Sequence, residues 1–285
     1  DKQKGTAFSD NDQRFMVFIK GCVETLKMLH WQPDVIHCND WQSGFLPVLV
    51  KKALADDGFF KNTKLVFSLF DLQTEATLSK AALEKAGIAS DLFSADEIDE
   101  SGNVDLIQAA VNHSDLVIVE NREQVFAENT EAQKVSKHIQ QILQKASGKL
   151  VEIGSGIDHS VWDPSSDKFL ECTYDIENVS KKEQNKKSLL ANLDVSYTER
   201  TPLIYMNALP ENGTSFAKAI PKMLDLGAHI VLLHKNGSAK KNEFAELKKQ
   251  YPNKFLLREY DTNLAHQLMA GADFYLASAW QEPMI

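Results

Sequence analysis

Short apolar runs alternate along this chain with longer stretches of helical spacing, and no other feature restricts the fold as much. The first run, Asp34-Val35-Ile36-His37-Cys38, lies between Pro33 and an Asn39-Asp40 turn. It is too short for a helix, so it reads as a strand buried in a parallel sheet. Similar runs follow at Lys64 to Leu69, Leu116 to Val119 and Leu150 to Ile153, then at Leu203 to Met206, His229 to Leu233, Lys254 to Arg258 and Asp273 to Ala277. Between them apolar residues recur at i, i+3, i+4 and i+7. In the first such stretch, capped by Asn11 and Asp12, they are Phe15, Phe18, Ile19, Cys22, Val23, Leu26 and Leu29. Further helices are predicted from Phe45 to Leu54, Ala76 to Ala86 with Gly87 as the stop, Val104 to Val111 and Glu131 to Lys145. In the second half they are predicted over Ser180 to Leu193, Thr214 to Leu226, Asn242 to Gln250 and Leu264 to Ala270.

Regular β-α alternation of this kind implies an α/β fold: right-handed crossovers and two doubly wound, Rossmann-like parallel sheets, each covered on both faces, with a cleft between them. The polar stretch from Val161 to Glu171 reads as a surface excursion and sets the domain boundary near Ile157, giving domains 1–157 and 158–285. With 285 residues and 43% hydrophobic content, full cores are available to both.

A formal net charge of −9 argues against a sequence-independent nucleic-acid binder, which needs a basic face to neutralise phosphates. Polar carbohydrates and small anions stay open as ligands, because net charge says little about one pocket. Cys22, Cys38 and Cys172 form no CxxC pair and the histidines no HExxH, so no metal and no cofactor are expected. The thiols read as reduced, in a cytoplasmic compartment. No apolar stretch is long enough to span a bilayer and no signal-peptide pattern opens the chain, so no membrane partner is expected, although Asp1 is not an initiator Met.

The loop from Asn39 to Gly44 follows the first strand at its carboxyl end, where ligands of open α/β sheets sit. Asn39, Asp40, Trp41 and Gln42 make it a candidate for a polar ligand. The alternative is a capped helix start with Trp41 packed inward, since Asn and Asp also serve as ordinary turn residues. The lysines at 181, 182, 186 and 187 read as a solvated helix face, Trp162 and Trp280 as rings that could stack on a sugar, with core or hinge packing favoured for Trp162, and His266 as a packing or capping residue.

PDVIHCNDWQSGFLP, GKLVEIGSGIDHSVWDP and YPNKFLLREYDTNLAHQLMAGADFYLASAWQEP, in this order and spacing, resemble the bacterial glycogen and starch synthases. These are retaining glycosyltransferases of the GT-B fold, and the resemblance covers the middle of the family. It implies glucose transfer from ADP-glucose or UDP-glucose to the non-reducing end of an α-1,4-glucan, with an acceptor-side N-terminal domain, a nucleotide-sugar C-terminal domain and no catalytic metal. By the same resemblance Glu282 contacts the donor sugar, and Asn207, Ala208, Asn212, Gly213 and Lys235 occupy the nucleotide-sugar positions. Asn39, Asp40 and Trp41 occupy the catalytic and acceptor positions.

The departures from the family pattern cluster where charge must be stabilised. Asn39 stands for a His, Phe70-Asp71 for a His-Asn pair, Ser155 for an Asn, and Ala208 and Asn212 for an Arg and a Lys that grip the diphosphate. Losing one preorganised donor to developing charge costs roughly a hundred- to a thousandfold in rate. The resemblance therefore carries an alternative, a catalytically impaired protein that binds glucan or a partner synthase.

Overall fold

The computed structural model describes residues 8, 10–85, 87–127, 135–198, 200–207, 214–234 and 241–277, and the chain divides into two compact units, Asp1–Ser155 and Gly156–Ile285. In the first unit, strands β1 (Val35–Asn39), β2 (Lys64–Ser68), β5 (Leu116–Val119) and β6 (Leu150–Glu152) form a parallel sheet in the order β1-β2-β5-β6. Register puts Cys38 beside Phe67, Phe67 beside Val117 and Val117 beside Leu150. All four side chains are buried, which makes an apolar stripe across the sheet. That stripe is why neighbouring runs cannot slip: a shift of one residue would turn every one of them to the other face.

Helices Asn11–Met28, Phe45–Val48, Leu106–His113 and Lys137–Lys145 contribute Ile19, Phe45, Ile107 and Ile139 to the same core. Two predicted helices need correction. Ala76 to Ala86 begins instead as a short strand, β3 (Thr77–Leu78), antiparallel to β4 (Val104–Asp105), and becomes helical only over Lys80–Lys85. The helix expected from Val104 starts at Leu106, because the Asp105 carboxylate accepts the N–H groups of Ile107 and Gln108 and so acts as its cap. Gly87 does end its helix with a left-handed φ of 65°. A helix over Arg122–Phe126, capped by Asn121, was not expected from the spacing.

In the second unit, β7 (Leu203–Asn207), β8 (His229–His234), β9 (Phe255–Glu259) and β10 (Phe274–Ala277) form a parallel sheet in the order β10-β7-β8-β9. Alternate residues go to opposite faces. Leu203, Tyr205, Val231 and Leu233 pack with Leu189, Leu190 and Leu268 of helices Lys182–Asn192 and Thr262–Gly271. Ile204, Met206, Ile230 and Leu232 pack with Ile220 and Phe244 of helices Thr214–Asp225 and Lys241–Gln250. Both faces are buried, so the strands read as continuous apolar runs.

The stretch read as a surface excursion is fastened down. Trp162 stacks on His266 at 3.8 Å with an interplanar angle of 3°, and Asp167 Oδ2 lies 2.6 Å from His266 Nδ1. The Asn185 carboxamide bonds both the N–H and the carbonyl of Cys172. The lysine face is only half solvated. Lys186 is buried, its Nζ donating to Asp273 Oδ2 and the Thr201 carbonyl, both at 2.8 Å. Lys182 donates to the carbonyls of Met269 and Ala270, at the end of the neighbouring helix. The buried Lys186, satisfied in this way, joins the amino ends of β7 and β10, since Asp273 Oδ2 also accepts the Leu203 N–H at 2.7 Å.

Candidate functional site

At the carboxyl end of β1 the chain makes a backbone turn that few residues tolerate. Asp40 has φ 58° and ψ 173°, a region sparsely populated by any residue but glycine. The surroundings enforce it. The Asp40 N–H donates to the Ser68 carbonyl at 2.8 Å, and Asp40 Oδ1 accepts from the N–H groups of Phe70 at 2.9 Å and Asp71 at 3.0 Å. Ser43 Oγ closes the turn by donating to the carbonyls of Asn39 and Asp40. The loop after β1 thus holds the loop after β2 by its backbone.

Gly44 is required for space. A Cβ there would lie 2.9 Å from the Leu106 carbonyl oxygen and 3.1 Å from that of Trp41. Trp41 packs edge-on against Phe15, with centroids 5.3 Å apart, and is half-buried against the core. Asn39 is exposed. His37 Nε2 lies 2.7 Å from Ser68 Oγ, a structural link between β1 and β2. Burial, and then the neighbouring Cys22, push the Cys38 thiol up to about 12 against the opposing hydrogen bond of Ser43, so it stays protonated and unreactive.

The β2 loop repeats the device. Burial would raise the Asp71 carboxyl, but hydrogen bonds from the Thr74 hydroxyl and the N–H groups of Gln73 and Thr74 outweigh it and hold it below the ordinary carboxylate value. Phe70, directly before Asp71, is 43% exposed. At the ends of β5 and β6, Ser155 Oγ donates to Glu120 Oε1 and the Ile153 N–H to the Val119 carbonyl. Spacing alone singled out neither Glu120 nor the exposure of Phe70. The signals for Phe70 were its position directly after an apolar run and the resemblance, which sets Phe70-Asp71 where the family has a His-Asn pair.

In the second unit the strand order reverses at β7, which lies between β10 and β8. Asn207 ends β7, in register with Ala277 of β10 and Leu233 of β8. A reversal of this kind opens a crevice at the carboxyl ends of the strands. Ala208, Asn212, Gly213, Lys235 and Glu282 lie outside the described residues. Among the described residues no three or more His, Cys, Asp or Glu are grouped to hold a metal ion, and no helix is long and apolar enough to cross a membrane.

Comparison with known proteins gives a consistent result. Residues 2–133 match the family described as the starch synthase catalytic domain. The chain is 28% identical over 279 residues to a glycogen synthase of Desulforudis audaxviator, covering 97% of this chain and 55% of that protein. It is 28% identical to one from Koribacter versatilis, covering 97% and 57%. Among solved structures, the catalytic domain of starch synthase IV from Arabidopsis thaliana, bound to ADP and acarbose, aligns over 98% of this chain and 58% of that one. Its TM-score is 0.84 at 26% identity. The chain therefore spans a little over half the length of these relatives. Taken with the two parallel α/β sheets, these matches give the chain the GT-B glycosyltransferase fold and make it similar to the bacterial glycogen synthases and to starch synthase IV.

Proposed function

We propose that the chain is the part of a glucosyltransferase that transfers glucose from ADP-glucose or UDP-glucose to the non-reducing end of an α-1,4-glucan with retention. The reading is carried by Asn207, which ends the strand where the order β10-β7-β8-β9 reverses, the position at which open α/β sheets take a ligand. In this reading the Asn207 to Gly213 loop and Lys235 receive the nucleotide diphosphate, Glu282 contacts the donor sugar, and the β1 and β2 loops of the first unit receive the glucan. The ADP and acarbose bound by the starch synthase IV relative support both ligand classes. The chemistry asks for fixed donors on a departing diphosphate, which no metal need supply. Asp40 is a positioning group here, since its Oδ1 is already committed to two backbone N–H groups.

A second reading, glucan and nucleotide binding without turnover, is favoured by Ala208 and Asn212 standing where the resemblance calls for an Arg and a Lys. Transfer of labelled glucose from ADP-glucose and UDP-glucose to glycogen decides between them. Turnover at ordinary synthase rates eliminates the binding-only reading. Absent transfer with retained ADP and glucan affinity supports it, and loss of both affinities overturns the two together.

A further inference from the structure

We infer that Phe70 is a stacking platform for a pyranose ring of an α-glucan, an assignment that rests on the glucan-binding reading above and names the residue that carries it. The run before it, Leu65, Phe67 and Leu69, is fully buried, whereas Phe70 is 43% exposed. A single exposed apolar residue is ordinary on any surface. What sets this one apart is where it stands and how it is held.

Phe70 follows β2, an interior strand, at the carboxyl edge of the sheet. Asn39 ends the strand on one side of β2, and Glu120 follows the strand on the other. The Phe70 and Asp71 N–H groups are both held by Asp40 Oδ1, and those of Gln73 and Thr74 by Asp71 Oδ1. Asp40 keeps a left-handed backbone to do this, a conformation that persists only where the surroundings over-determine it. The ring is therefore mounted on a backbone ordered before any ligand arrives, so binding loses little freedom there.

The chemistry around the ring suits a neutral polyol. A pyranose presents apolar C–H faces and a rim of hydroxyls, which calls for an aromatic face with hydrogen-bonding groups beside it. The carboxamide of Asn39 and the Glu120–Ser155 pair supply those groups. Three carboxylates, of Asp40, Asp71 and Glu120, stand at these strand ends. Among the described residues there, the cation Arg122 has its guanidinium over the Phe126 ring and one nitrogen toward the Leu150 carbonyl. That balance disfavours a phosphate and is indifferent to an uncharged sugar.

The test is binding of maltoheptaose and, separately, of ADP to the whole chain by calorimetry, for the wild type, Phe70→Ala and Phe70→Trp. Ligand-observed NMR of the maltoheptaose C–H protons accompanies it. The expected result is about a tenfold weaker maltoheptaose affinity for Phe70→Ala, with ADP unaffected and Phe70→Trp restoring binding. Upfield ring-current shifts of the sugar protons should be present in the wild type and lost in Phe70→Ala. Equal urea midpoints for wild type and Phe70→Ala exclude a folding defect as the cause. Equal maltoheptaose affinity in wild type and Phe70→Ala overturns the platform and leaves the glucan reading standing. A wild type that binds no maltoheptaose overturns both. A Phe70→Ala variant weakened for ADP alone makes the ring a nucleobase contact and overturns the assignment.

Discussion

Replacing Asp40 should separate hydrogen bonding from backbone strain. Asp40 Oδ1 accepts two N–H groups, at 2.9 and 3.0 Å, and hydrogen bonds to a charged acceptor are worth about 1.5–3 kcal/mol each. Phe70 is exposed and Asp71 half-buried, so water replaces part of what is lost and the expected cost of Asp40→Ala is about 2–3 kcal/mol. Asp40→Asn keeps the oxygen acceptor and tolerates positive φ, and should cost about 0.5–1 kcal/mol. Asp40→Gly loses the acceptor but relieves the φ of 58°, recovering about 1 kcal/mol relative to alanine. The stability order should then be Asp, Asn, Gly, Ala. Urea midpoints of the first unit give the order, and hydrogen exchange at the Phe70 and Asp71 amides reports the loop directly. An alanine variant as stable as the glycine one, or unchanged exchange at both amides in Asp40→Ala, refutes the reasoning.

Three further outcomes follow from the same geometry. Burial would raise the Glu97 carboxyl, yet His113, the Ser94 N–H and Asn112 bring it down to about 2 from 4.5. Because the folded value is depressed, its contribution of up to ~3 kcal/mol is present above the ordinary value and is lost as pH falls from about 4.5 to 2. Glu97→Gln should flatten the difference in urea midpoint across that window. A Cβ at Gly271 would meet Leu189 Cδ2 at 3.0 Å and the Asn185 backbone at 3.4 Å, so Gly271→Ala should cost about 1–3 kcal/mol. Adding Leu189→Ala should return less than its own single cost, as read from thermal midpoints. Asp167→Ala removes the partner of His266 Nδ1 while Nε2 is already buried without one, and should cost about 1–3 kcal/mol and shift Trp162 emission.

Much of the fold was legible because its interior strands are buried on both faces, whereas β1, read as buried, lies at the sheet edge with Val35, His37 and Asn39 exposed. Leu203 to Met206 and Lys64 to Leu69 could be read within a residue of their observed limits, since continuous apolar runs bounded by turns admit few other structures. Thr77–Leu78 could not be read, because two residues show no period and their strand character comes only from pairing with Val104–Asp105. The Arg122–Phe126 helix is likewise too short to display a stripe, although Asn121 marked its start. Lys182 and Lys186 looked solvated because composition cannot reveal that the next helix ends against them.

The sequence by itself determined the order and kind of the main elements, the glycine at 87 that stops a helix, and the polar turns that follow the strands. These depend on residues two to four positions apart, which a chain carries wherever it goes. Only the tertiary structure decided that Asp40 turns its carboxylate onto the amides of a loop thirty residues away and that Phe70 is held outward between two strand ends. It also decided that Asn207 falls where the strand order reverses. Each of these depends on which strands become neighbours, a choice made by the packing of whole sheet faces rather than by local pattern.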